Sequence, residues 1–454
     1  MSETTRIADA VRLPDTPAAV AARRVADVLC AAGYEALLAG GCVRDLLLGR
    51  PPKDYDVATS AHPDMVIARF PDAVTVGKSF GVVRVPVGDI WTEVATFRRD
   101  RAYTDGRHPD GIEFTTARED AERRDFTVNA MFMDPATGGV IDYVHGRADL
   151  QARRIRCVGE PEARFGEDHL RMLRAVRFAA TLEFELDADT EAAIARLAPA
   201  VQRISPERVR EELVRTLWEA TRAGEAVRLL DRTGLLREIL PEVAAMKGVE
   251  QPAEFHPEGD VFTHTCLMLD AMRPDRTPVL AMAALLHDVG KPPTAARDTA
   301  GRWRFMEHAA TGARMAETIL HRLRFSSDDT AAIVACIAGH MRFADVQHMR
   351  TSTLRRMIGA PFFVTELELH RLDCVASHGN LDHHAFLIER KDAFDAEPVL
   401  PPAWITGRDI LALGIPPGRE VGVWKQRAYD AQLEGRFDSR EGGLAWLRSE
   451  RPNP

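Results

Sequence analysis

A chain of 454 residues is too long for one ordinary core, so two to four domains are expected, and a hydrophobic share of 45% is that of a globular protein, not a disordered one. The longest nearly unbroken apolar stretch, Val279 to Leu286, is far short of a membrane span, and Met1 to Val20 lacks the charged-then-apolar pattern of a secretory signal. A formal net charge of −9 argues against a uniformly basic nucleic-acid binder, but phosphate contacts need only a local basic patch. The cysteines (Cys30, Cys42, Cys157, Cys266, Cys336 and Cys374) are scattered and form no CxxC pair. Reduced thiols and a cytoplasmic location are expected.

In chain order, residues 1–20 read as a flexible N-terminus, and 21–33 as an amphipathic helix closed by Gly33. Short segments follow (EALLA, DYDVAT, AVTV, GVVRVPV, IWTEVATF, GIEFTT), several alternating with period two. They predict a mixed sheet with a few helices over roughly 35–150. Helical periodicity begins near 165, in 167–181, 187–198, 206–220 and 224–231, with Ser205-Pro206 as cap and first turn. Lys247 to Gly259, with two prolines and two glycines, reads as a linker. Histidine-rich helices run to about 390, and Pro398, Pro401 and Pro402 mark a joint before a small tail. The expected division is a head at 21–155, a helical neck at 156–246, a linker at 247–259, a metal-binding domain at 260–396 and a tail at 397–454. The fold class is α+β, a mixed-sheet head followed by all-α domains.

The most informative stretch is LAGGCVRDLLLGRPPKDYDVATS, residues 38–60. A strand ends at Gly40-Gly41 and a helix opens at once, presenting unpaired N–H groups to a phosphate, with Arg44 in its first turn. Asp54 and Asp56 stand two apart, which in a strand puts both carboxylates on one face. Such a pair suits Mg²⁺, which takes oxygen ligands and bridges substrate phosphates. Either signal alone is better read as a solvated turn; their union is much more specific. The combination resembles the class II tRNA nucleotidyltransferase and poly(A) polymerase family, of polymerase-β-like fold, and the resemblance covers most of 35–245. It implies that Asp54 and Asp56 bind catalytic Mg²⁺ and that Gly40, Gly41 and Arg44 belong to a triphosphate site. Glu93, in WTEVATFRRD, is the candidate third carboxylate, or else an exposed strand residue. ERRDFTVNAM resembles the family's ribose motif and implies Arg124, Asp125 and Asn129 near the incoming sugar. The polar stretch 100–114 resembles the loop that reorganises between C and A addition.

FGEDHLRMLRAVRFAATL (165–182) reads as one arginine-rich helix, with Asp168 and Arg171 neighbours on one face and Arg174 a turn further on. A helical salt-bridge face is the bland reading. The family's E-D-x-x-R motif at this point implies base recognition in place of a template: Asp168 accepting from an exocyclic amino group, Arg171 donating. His169 stands where proline is usual. RISPERVREEL (203–213) resembles a bracing motif. Further on, His287-Asp288 ends an apolar run, with His264, His308, His340 and Asp373 on other predicted helices. This resembles the HD phosphohydrolase superfamily. It implies one metal on His264, His287, Asp288 and Asp373, and a second supported by His308 and His340. Such ligands suit Mn²⁺, Ni²⁺, Co²⁺ or Fe²⁺, and a phosphatase or cyclic phosphodiesterase activity would follow; a purely structural role would explain the same residues. The tail resembles segments that contact the tRNA body.

The resemblance thus implies addition of CCA to tRNA from CTP and ATP, with no membrane partner. A poly(A) polymerase, or an enzyme restricted to C or A, shares the head motifs. An HD phosphohydrolase with an RNA-binding head, and an inactive tRNA-binding scaffold, fit the same motifs less fully.

Overall fold

The computed structural model describes residues 10–77, 81–101, 111–394 and 398–450. Residues 102–110, the centre of the expected flexible loop, lie outside the described residues, as do residues 1–9 of the expected flexible N-terminus. Two compact units result, residues 1–241 and 242–454.

In the first unit, α1 (Pro17–Ala31) starts four residues before the helix read from periodicity. Thr16 caps it, accepting from Ala19 N, and Pro17 fits the first turn. The helix buries Ala19, Ala22, Val25, Ala26 and Leu29. Strand β1 (Ala36–Ala39) leads into α2 (Gly41–Leu47), then come β2 (Asp56–Thr59), β3 (Val74–Gly77), β4 (Val82–Val87), β5 (Ile90–Thr96), β6 (Phe132–Met133) and β7 (Val140–Ile141). The sheet order is β3-β4-β5-β2-β1-β6-β7, with β2 and β5 parallel and every other neighbouring pair antiparallel. β1 is central and buried at every residue, so its sequence is apolar throughout and does not alternate. Leu37, Ala39 and Ala58 meet Phe97 and Phe132 in the core, the two rings edge to face at 5.8 Å.

The long helix expected over 165–182 is two helices. α3 (Pro161–Glu167) ends where Asp168 adopts extended backbone, and α4 (Leu170–Leu182) begins two residues later. α5 (Pro206–Glu219) packs along α4. Their seam holds a buried ion pair, Arg177 Nε to Glu212 Oε2 at 2.6 Å, both side chains under 8% exposed.

The second unit is helical: α6 (Val261–Asp270), α7 (Pro278–Leu286), α8 (His308–Arg322), α9 (Ser327–Gly339) and α10 (Phe363–Ala376) precede further helices to Glu450. Leu280 to Leu286 are all buried, because α6, α9 and α10 surround α7. That packing explains an apolar run with no polar face. Among the described residues no helix is long and apolar enough to cross a membrane.

Removing one member of the α4–α5 pair strands a buried charge. Arg177→Met should cost about 3–5 kcal/mol, read as a lowered denaturant midpoint of the first unit's transition; an unchanged midpoint would refute that reading of the seam.

Candidate active site and candidate metal centre

The head site grows from strand register. Ala39, the last residue of β1, pairs with Asp56, the first of β2. The turn after β1 therefore lies beside that carboxylate. Gly40 has φ 76° and ψ −131°, a conformation that favours glycine. A Cβ there would also stand 3.1 Å from Arg124 Nη1. On the other side of β2, Val57 pairs with Val94 of β5. One step earlier on these parallel strands stand Asp56 and Glu93, and period two turns both away from the face of the buried valines. Asp54 precedes β2 instead of lying in it, contrary to the expectation from spacing.

Asp56 is exposed as a residue, yet protein packs closely around its carboxyl, which is pushed up to about 6. Desolvation is the largest cause, followed by the charges of Glu93 and Asp54; Arg124 opposes them. The three expected carboxylates thus converge electrostatically. Among the described residues they do not form a group whose ligand atoms all lie within 4.8 Å of one another.

The residues expected at the nucleotide form a connected chain. Arg44, buried, donates to Asn129 Oδ1 at 2.6 Å and to Asp45 at 2.8 Å. Asn129 Nδ2 reaches Asp125 Oδ1 at 3.5 Å, and Arg174 grips Asp125 Oδ2 with Nε at 2.9 Å and Nη2 at 2.7 Å. Burial would raise the Asp125 carboxyl, but Arg174 outweighs it and holds it low. Arg44, Arg174 and Arg177 all lie within 5.5 Å of the Phe178 ring centroid. Arg124 donates to Asn129 O at 3.2 Å and is fixed by Asp120, which also binds Arg123. Asp120 does not stand out in the sequence. It lies in a short helix, Ala117–Glu122, and its spacing of three and four residues from the two arginines that follow the helix is the signal that marks it.

Asp168 and Arg171 are close in sequence but not paired. Asp168 caps the start of α4, accepting from Leu170 N at 3.0 Å, and takes both Nη groups of Arg208 at 3.2 and 2.8 Å. Arg171 instead pairs with Glu167. Arg208, from the expected bracing motif, thus reaches the residue expected to read the base. His169 is buried, its Nδ1 donating to Phe165 O at 2.8 Å across the helix break.

In the second unit, the helices bring all six expected metal residues together. His264 Nε2 lies 3.0 Å from Asp373 Oδ1, and His287 Nε2 3.1 Å from Asp288 Oδ2. His308 Nε2 and His340 Nε2 are 3.1 Å apart, 3.7 and 3.9 Å from Asp288 Oδ1. Gly290 permits this approach, since a Cβ there would lie 2.1 Å from the His308 carbonyl at the start of α8. Donor atoms of His264, His287 and Asp288, and of Asp288, His308 and His340, form groups within 4.8 Å. Among the described residues, His287 Nε2 and Asp288 Oδ1 are buried with no hydrogen-bond partner. Orphaned donors of this kind fit a divalent metal. Burial alone would depress His264, but the flanking carboxylates Asp373 and Glu258 raise it to about 9; burial and the His287 charge drop His340 to about 4. Glu258, which the sequence pattern does not single out, accepts from His264 Nδ1 at 2.6 Å.

Three family models match consecutive stretches: the poly A polymerase head domain over 36–156, the probable RNA and SrmB-binding site of polymerase A over 183–247, and the HD domain over 261–374. Curated relatives include the CCA-adding enzymes of Geobacillus thermodenitrificans and Enterococcus faecalis. The first is 49% identical over 204 residues, 45% of this chain and 50% of that one. The second is 45% identical over 195 residues, 43% and 48% of the two chains. The chain thus spans about half the length of the curated relatives it matches. The crystal structure of the Bacillus stearothermophilus CCA-adding enzyme in complex with CTP matches 96% of this chain and 98% of its own, with TM-score 0.73 and 28% identity. A Thermotoga maritima CCA-adding enzyme complexed with tRNA, at 17% identity and TM-score 0.60, shares the fold.

A carboxyl titrating near 6 must lose its proton before it can bind a cation. Divalent-cation affinity at the head should therefore be full at pH 7.5 and about tenfold weaker at pH 5, one unit below that value. Mg²⁺ titrations at the two pH values, with Asp56→Ala as the blank, measure it; equal affinities would contradict the crowding described for Asp56.

Proposed function

We propose that this chain, whose residues 36–156 match the poly A polymerase head domain, is a template-independent tRNA nucleotidyltransferase that builds the 3′-terminal CCA from CTP and ATP. The observation that carries this reading is the chain Arg44–Asn129–Asp125–Arg174, joined through Arg124, which donates to Asn129 O, to Asp56, whose carboxyl also feels Asp54 and Glu93. Asp54 and Asp56 would hold Mg²⁺, with Glu93 as the third carboxylate; the ions would neutralise triphosphate charge and favour ionisation of the attacking hydroxyl. The terminal 3′-hydroxyl of the tRNA forms a bond to the α-phosphorus as the α–β bridging bond breaks, and pyrophosphate leaves. Gly40, Gly41 and Arg44 receive the triphosphate, while Arg124, Asp125 and Asn129 surround the ribose.

Base choice falls to Asp168 and Arg171, with Arg174 behind them. Cytosine and adenine offer an amino group to an aspartate where uracil and guanine offer a carbonyl, and a mismatched polar group left buried costs about 1–3 kcal/mol. The names of the curated relatives favour CCA over poly(A) or single-nucleotide addition. A tRNA substrate and reduced thiols suit a cytoplasmic enzyme.

The HD centre supports a second reading for the same chain, a phosphohydrolase using Mn²⁺, Ni²⁺, Co²⁺ or Fe²⁺ on His264, His287, Asp288 and Asp373, with His308 and His340 at a second ion. The orphaned His287 and Asp288 atoms favour it over a structural role.

One assay separates the two. The wild-type chain should add two C and one A to tRNA transcripts lacking CCA, one C and one A to those lacking CA, and one A alone to those lacking A. Asp56→Ala should lower incorporation about 10³-fold, the several kcal/mol that metal-assisted charge stabilisation supplies, whereas His287→Ala should leave it unchanged. Undiminished incorporation by Asp54→Ala/Asp56→Ala would end the nucleotidyltransferase reading.

A further inference from the structure

The segment Lys247 to Gly259 looks like a linker by composition, but its backbone is tied down at both ends. Asp260 Oδ2 accepts from Gly248 N at 2.6 Å, and Val261 N donates to Val249 O at 3.1 Å. The loop so closed presses two polar side chains against the HD centre. Gln251 Oε1 accepts from Lys291 Nζ at 2.7 Å, and the same ammonium lies 2.6 Å from Asp288 Oδ2. Glu258 Oε1 accepts from His264 Nδ1 at 2.6 Å and from His256 Nδ1 at 2.9 Å, and the rings of His256 and His264 pack edge to face at 4.9 Å. Glu258 Oε2 is buried without a hydrogen-bond partner. Gln251, His256 and Glu258 all lie ahead of the HD family match, which begins at residue 261.

We propose that Glu258, steadied by His256, is a positioning residue for the HD metal centre. An imidazole bound to a metal through one nitrogen donates its other N–H to a fixed acceptor, which sets the tautomer and ring plane. His264 is fully buried, with Nε2 directed towards Asp373 and its ring 5.5 Å from that of His287. A carboxylate on Nδ1 keeps the proton there and leaves the Nε2 lone pair for the ion. Asp373 already occupies the Nε2 side, so among the described contacts of His264 only Glu258 accepts at Nδ1. The loop thus acts as an outer wall that orients His264 through Glu258 and holds Asp288 through Gln251 and Lys291.

This inference rests on the HD centre binding a divalent ion, and the experiment separates the two claims. Co²⁺ is titrated into the full-length chain and into His287→Ala, Glu258→Ala and Glu258→Gln, following both the binding isotherm and the visible d–d spectrum. The site lost in His287→Ala identifies the HD ion. Glu258→Ala should weaken that site about 10–100-fold and shift its spectrum, the range expected for losing an outer partner of a ligand histidine. Glu258→Gln, whose amide oxygen can still accept from Nδ1, should recover most of the affinity. Wild-type affinity and spectrum in Glu258→Ala would overturn the positioning role while leaving the metal reading intact. Identical isotherms for wild type and His287→Ala would overturn both.

Discussion

The head depends on the ion pair between Asp125 and Arg174. Asp125 lies in a bend ahead of β6, and Arg174 in the middle of α4, so their two-pronged contact ties the sheet segment to the helix. Through Asn129 the same carboxylate reaches Arg44 at the start of α2. A buried pair gives weak net stability compared with an apolar contact of equal volume, but it fixes geometry, because either partner left alone is costly. Three guanidiniums around the Phe178 ring follow the same logic. Such crowding persists only where anions compensate, and Asp45, Asp125 and Glu212 are placed to do so.

This arrangement answers the apparent conflict between a net charge of −9 and the anionic substrate proposed for the chain. Field strength at a site depends on local groups, and the described head gathers Arg44, Arg124 and Arg174 around a few residues of strand edge and turn. Acidic residues elsewhere set the total without entering the site. The carboxylates of Asp54, Asp56 and Glu93 lie at the same edge, so a triphosphate accompanied by cations would meet charges of both signs in the places it needs them.

Much of this is legible in the sequence, for identifiable reasons. The glycine turn, the aspartate pair and the His-Asp dipeptide depend on local spacing, and local spacing survives folding. The register that sets Asp56 beside Glu93 is a parallel pairing over a long separation, which alternation in either strand alone does not specify. The interrupted helix at Asp168 is hidden because periodicity across 165–182 is continuous on both sides of the break. Only the capping bond from Leu170 N to Asp168 shows why the chain turns there. Composition misleads in the segment before α6, where prolines and glycines describe irregular backbone but not whether that backbone is anchored.

The break at Asp168 bears on how a protein surface can choose a base. In the free chain, Asp168 is held by Arg208 and Arg171 by Glu167, so neither waits as an unpaired buried charge. Under the proposed reading, recognition is an exchange: an incoming base must give both groups bonds at least as good as those it displaces. Cytosine and adenine can do so, since an amino group faces the aspartate. A carbonyl in that place repels Asp168, and the internal pair with Arg208 then persists. Discrimination therefore arises from the difference between bonds reformed and bonds lost, not from the strength of either set. It also follows that Arg208, although outside the base-reading motif, sets the level against which every nucleotide is compared.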